Sequence, residues 1–102
     1  MDESKPVVVI DLPRGDIYKL EGEVRVNITV SDPDGVSSYS WGVFAQNGSP
    51  LGLGGNVGCG NSGQCNSSEE FEAKLTGQFF IGVDALDAKG NTVREVKQIY
   101  VN

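Results

Sequence analysis

Apolar and polar residues alternate with period two along most of the chain, and nothing sustains the 3.6-residue period of an amphipathic helix. The clearest case is the segment from Gly22 to Ser31. Val24, Val26, Ile28 and Val30 fall on one face and Glu23, Arg25, Asn27 and Thr29 on the other. Such alternation predicts an antiparallel strand with one face on a core and the other in water. Pro6 to Asp11 predicts an earlier strand, ended by the Leu12 to Asp16 turn, with a short connection over Ile17 to Leu20. Asp32-Pro33-Asp34-Gly35 predicts a turn, because Pro presets φ and Gly accepts a positive one.

Beyond that turn, Tyr39, Trp41, Val43 and Ala45 share a face, which places Trp41 in the core rather than on a carbohydrate-stacking surface. Phe71, Ala73 and Leu75 are predicted to point inward, as are Phe79, Ile81, Val83 and Ala85. The last strand, Thr92 to Val101, carries Val93, Ile99 and Val101 in one phase and Val96 in the other. A β-bulge near Glu95 to Lys97 is therefore expected. Phe44 and Phe80 lie out of phase with the core faces and are expected beneath a loop or in a contact patch.

Residues 46–68 break the pattern, being too rich in glycine for an unaided regular strand. They predict a long excursion, with one short hairpin at most, and loops of this length in small domains are usually functional or disordered. The chain's two cysteines, Cys59 and Cys65, lie within it, close enough in a flexible run to form a disulfide. With no histidine in the chain, two thiols make half a zinc site at best, so an oxidising compartment is favoured over a cytosolic thiol pair. If this excursion binds, Leu51, Leu53 and Val57 are its expected apolar contacts, locked by the Cys59–Cys65 bridge.

The runs Asn27 to Trp41, Gly77 to Asn91 and Ile99 to Val101 resemble the polycystic-kidney-disease-type and related immunoglobulin-like repeats of prokaryotic surface proteins. Asp32 to Gly35, Tyr39, Trp41, Asp87 and Gly90 carry the resemblance, while Gly42 to Gln46 replaces the family's usual Asp-Phe-Gly-Asp-Gly. The resemblance implies an immunoglobulin-like β-sandwich of about seven antiparallel strands in two sheets, over residues 6–102, after a linker at 1–5. It also implies a module that spaces, stacks or attaches and does not catalyse.

Composition narrows the partners. The chain has 102 residues and a formal charge of −6, which suits neither nucleic acid nor an anionic membrane. No stretch nears the ~20 apolar residues that span a bilayer. The lack of histidine removes the commonest general base. Asp84 and the carboxylates of Glu69, Glu70 and Glu72 read as a solvated face, with no partner acid in an apolar pocket.

In a sandwich of this order, the Asp32 and Asp87 turns and Asp2-Glu3 should meet at one end. Asp32, Asp34, Asp87 and a backbone carbonyl could there make a partial Ca²⁺ site. Equally, each aspartate could cap its own turn. Asn27, Asn47 and Asn66 each begin a glycosylation sequon, and Arg14-Gly15-Asp16 matches an integrin-type tripeptide but reads as a turn. The expectation is a non-catalytic module at the cell surface or outside the cell, joined to neighbouring domains and binding a protein or surface polymer. The alternatives are an accessory, carbohydrate-attaching domain of a secreted hydrolase, and a filament subunit that pairs through its first strand, Val7 to Ile10.

Overall fold

The computed structural model describes residues 5–102, so most of the 1–5 linker and the Asp2-Glu3 pair fall outside the described residues. The strands are β1 (Val7–Asp11), β2 (Ile17–Tyr18), β3 (Glu23–Ala45), β4 (Pro50–Glu72), β5 (Gly77–Asp87) and β6 (Thr92–Val101). Hydrogen bonds join all six into one sheet, ordered β1-β3-β5-β6-β2, with β4 on β3 as well. All pairings are antiparallel except β2 on β6, where Ile17 faces Tyr100 and Tyr18 faces Val101. The immunoglobulin-like sandwich forms by folding this sheet over on itself.

The fold-over lies in β3 and β4, each 23 residues long. The first part of β3 pairs with β1, from Val7 opposite Ser31 to Asp11 opposite Asn27. Its second part pairs with β5, from Val36 opposite Asp87 to Ala45 opposite Phe79. Between Ser31 and Val36 the β3–β4 register shifts, so Asp32 to Gly35 is a corner inside one strand rather than a turn between two. Strands that switch layers commonly do so at such irregularities.

Alternation then fills the interior from both layers. Val24, Val26, Ile28 and Val30 are fully buried from one side, and Val36, Ile81, Val83 and Ile99 from the other. Each contributes about 1.5–3 kcal/mol on burial. Phe79, Ala85, Tyr39 and Val43 are buried as their phase predicts, and Trp41 packs on this cluster with its ring 6.1 Å from that of Phe71.

Three expectations change. Residues 50–68 belong to β4, because β3 offers a long row of unpaired backbone groups and the glycine-rich chain satisfies its own polar groups against them. Gly52 and Gly54 (φ 76° and 152°) give the curvature this needs, and Gly54 approaches so closely that a Cβ would sit 2.2 Å from the Trp41 carbonyl oxygen. The bulge expected near Glu95 is absent: β5 and β6 pair in unbroken register from Gly77–Val101 to Leu86–Thr92. Val96 is instead 51% exposed on the outer face, while Glu95 and Lys97 stay exposed at the sheet margin. Leu75 lies beyond the end of β4 and is exposed.

Tracing the chain fixes two poles. It enters at Val7 beside the corner, which also receives Asp87 and the 88–91 turn. It leaves at Val101, opposite Gly77, where the hairpin turn before Pro50 and the end of β4 also lie. Gly77 and Asp87 are the two ends of β5, so at ~3.3 Å per residue the poles stand roughly 33 Å apart.

Candidate functional site

The entry pole is tightly constrained. Gly35 has φ 100°, and a Cβ there would meet the Asn61 carbonyl oxygen at 2.4 Å, so only glycine lets β3 and β4 cross this closely. The Gly35 carbonyl accepts a bond of 2.9 Å from Ala88 N, tying the corner to the turn between β5 and β6.

Two aspartates are buried at this junction, Asp32 (2% exposed) and Asp87 (1%). Asp87 Oδ1 accepts bonds from Lys89 N at 2.9 Å and Asn91 N at 2.7 Å, and Oδ2 accepts one from Asn91 Nδ2 at 2.9 Å. Burial pushes the Asp87 carboxyl up, but these donors outweigh it and hold it below the usual carboxylate range. Asp32 Oδ1 accepts one bond, from Asp34 N at 2.7 Å. Asp32 Oδ2 is buried without a hydrogen-bond partner. The Asp32 and Asp87 carboxyl groups lie within hydrogen-bonding reach of each other.

The structure thus brings together two of the three aspartates of the expected Ca²⁺ site. Asp34 turns away to Lys89 Nζ at 3.5 Å. Among the described residues no three of His, Cys, Asp and Glu gather closely enough to hold a metal ion. Turn capping therefore accounts for Asp87 and for Oδ1 of Asp32, and leaves the second oxygen of Asp32 unexplained.

Cys59 and Cys65 form a disulfide at the same pole, with Cα atoms 5.7 Å apart. Extended, six residues would cover roughly 20 Å. The chain is looped out between them, with Gly60 and Asn61 in the left-handed region at φ 61° and 63°. Leu51 and Leu53 lie at the other pole, and Val57 is opposite Tyr39 partway between. The expected interaction surface is therefore split along the molecule, and the cystine closes the corner rather than locking the leucines.

Leu51 and Leu53 line an open, apolar cavity of about 390 Å³ at the exit pole, with Val43, Phe71, Phe79 and Leu75. Leu75, expected as core, lines the cavity because β4 ends before it. Phe44 and Phe80 sit opposite each other on the outer face of the second layer, in register with Pro50, and both are half-buried. The Phe44 ring lies over the paired Gly42 and Gly82, where an added Cβ at either would come within 3.2 Å of it. Beside it a shallow concavity of about 450 Å³ is edged by Gln46, Asn47, Asp84 and Arg94. Arg94 holds Asp84 through two bonds of 2.7 and 3.1 Å.

Two of the sequons cross. Asn27 is opposite Ser68 and Thr29 opposite Asn66, so each acceptor asparagine faces the hydroxyl residue of the other tripeptide. Ser68 Oγ donates to Asn27 Oδ1 at 2.8 Å, while Asn47 lies in the hairpin turn and accepts from Ser49 N at 3.0 Å. Gly15 of the Arg14-Gly15-Asp16 tripeptide has φ 90° and donates its N–H to Leu12 O at 2.9 Å, the turn the sequence predicts. Glu70 pairs with Arg25 at 2.8 Å; Glu23 and Arg25 together hold its carboxyl low, and the same contact with Glu70 pushes Glu23 up.

No family model matches the chain, and no curated protein matches it. Among solved structures, the chain is similar to the CARDB domain of a Pyrococcus furiosus protein crystallised in complex with di-metal ions. The TM-score is 0.63 at 16% identity, over 97% of this chain and 89% of that one. A solution structure of the same CARDB domain gives 0.64 at 17% identity, over 99% and 97%. The sulfur carrier protein SoxY of Chlorobium limicola gives 0.63 at 19%, over 93% and 78%. At these identities the likeness establishes the fold alone: the chain is an all-β, immunoglobulin-like domain.

Proposed function

We propose that the chain is a non-catalytic structural module of a cell-surface or secreted protein, a spacer or protein-interaction repeat of the kind its sequence motifs resemble. One observation carries this reading. The chain enters at Val7 and leaves at Val101 at opposite poles of a body 46 × 24 × 20 Å, so copies or other domains joined through these ends string out lengthwise. The Cys59–Cys65 bridge supports an oxidising compartment. The leucine-lined cavity at the exit pole offers the apolar surface against which a protein partner or the next domain rests.

Small-angle scattering of two directly joined copies tests the spacer role. A maximum dimension near twice the 46 Å length of one copy is expected; a value close to that of a single copy overturns it. Changing Leu51 and Leu53 to Ser, with the fold retained, is expected to abolish attachment to the native surface.

A second reading, an accessory module of a secreted hydrolase, draws on the Phe44–Phe80 concavity and the polar residues at its edge. Sedimentation with insoluble polysaccharides, lost on Phe80→Ala, would favour it over the spacer.

A further inference from the structure

We infer that the Asp32–Asp87 pair at the entry pole is a binding site for one hard divalent cation, best suited to Ca²⁺. The carboxyl groups adjoin, both nearly excluded from water. The cationic side chain nearest in the fold, Lys89, is directed to Asp34, and the other ion pairs among the described residues, Arg14–Glu23, Arg25–Glu70 and Arg94–Asp84, lie elsewhere. Burying a carboxylate without a compensating charge is costly, and two side by side repel as well. Hydrogen bonds from Lys89 N and from the Asn91 backbone and side chain offset that cost for Asp87. Asp32 receives a single bond, and its Oδ2 none. That orphaned oxygen, on a carboxyl group that adjoins a second one, is where a positive species belongs.

The donor set selects the species. The side chains that meet here supply oxygen, in two carboxylates. There is no histidine, and both cysteines are bonded to each other, so soft-metal ligands are missing. An irregular corner suits Ca²⁺, which accepts 6–8 oxygens in flexible geometry, better than Mg²⁺, which demands a near-ideal octahedron. Asp34 is not needed as a ligand. The cation joins the β3 corner to the turn after β5 and so closes the pole at which the chain enters.

This inference stands apart from the spacer reading, and either can fail alone. The test is thermal unfolding and isothermal calorimetry of the whole chain, stripped with EDTA and then titrated with CaCl₂. Expected is one site with a dissociation constant on the order of 10⁻⁴ to 10⁻³ M and a rise of about 5 °C or more near saturation. Asp32→Asn, which keeps shape and the Oδ1 acceptor, should weaken binding at least about tenfold, while Glu70→Gln on the solvated face leaves it unchanged. An unfolding midpoint indifferent to Ca²⁺ overturns the site. So does a response that survives Asp32→Asn or disappears with Glu70→Gln.

Discussion

The Tyr39 hydroxyl donates a hydrogen bond to Ser67 Oγ across the interior. Tyr39 belongs to the half of β3 that pairs with β5, whereas Ser67 lies opposite Ile28 in the half of β4 that forms the other layer. The bond therefore spans the fold-over. Tyr39→Phe should cost about 1 kcal/mol, the usual net worth of such a bond, and Tyr39→Ala about 3–5 kcal/mol through the cavity it leaves. Urea unfolding of the two variants measures both.

Burial pushes both the Tyr18 and the Tyr39 hydroxyl above their ordinary value of 10.0. A group whose folded-state pKa is raised contributes stability that is whole below its unfolded value and declines as pH climbs through the folded one. Stability should hold to about pH 10 and fall beyond it. In Tyr39→Phe the alkaline decline should be shallower. Midpoints recorded from pH 8 to 12, alongside tyrosinate absorbance, test this; equal slopes in the two proteins contradict it.

Opening the Cys59–Cys65 bridge frees a short loop, and the chain-entropy account gives a loss of about 2 kcal/mol. In a domain of this size that lowers the melting temperature by roughly 10 °C. Unfolding of Cys59→Ser/Cys65→Ser, or of the native chain in reductant, measures it. Loss limited to a degree or two would mean that the β3–β4 pairing holds the corner alone.

Glycine substitutions should divide sharply. Gly35→Ala and Gly54→Ala each place a methyl group against a carbonyl oxygen at a positive φ and should cost at least about 2 kcal/mol. Gly58→Ala meets nothing within 4 Å and should stay within about 0.5 kcal/mol of the parent. Equilibrium unfolding of the three variants decides whether the close approaches, rather than glycine content as such, hold β3 and β4 together.

The buried faces were legible because alternation and burial are the same fact in a half-solvated strand: Val24 to Val30 and Phe79 to Ala85 read correctly residue by residue. Polarity was a poorer guide at a margin. Val96, out of phase with Val93 and Ile99, suggested a bulge, when it simply faces outward from a strand in unbroken register, whose other side pairs with β2 only at Tyr100 and Val101. Glycine content likewise argued against a strand over 50–68, because local propensity carries no information about a partner. Asp32 and Asp87 could be placed at one end from turn order alone. That Asp34 would face Lys89, and that Gly35 would need Asn61, depends on long-range register that no local pattern encodes.

The opposite placement of Val7 and Val101 also decides how the domain meets tension. Pulled apart by these ends, β1 slides lengthwise along β3, and its five backbone pairings, from Val7–Ser31 to Asp11–Asn27, share the load and must give way together instead of one at a time. A strand so loaded in shear yields far less readily than a hairpin peeled from its end. The fold is thus stiffest along the axis that joins Val7 to Val101.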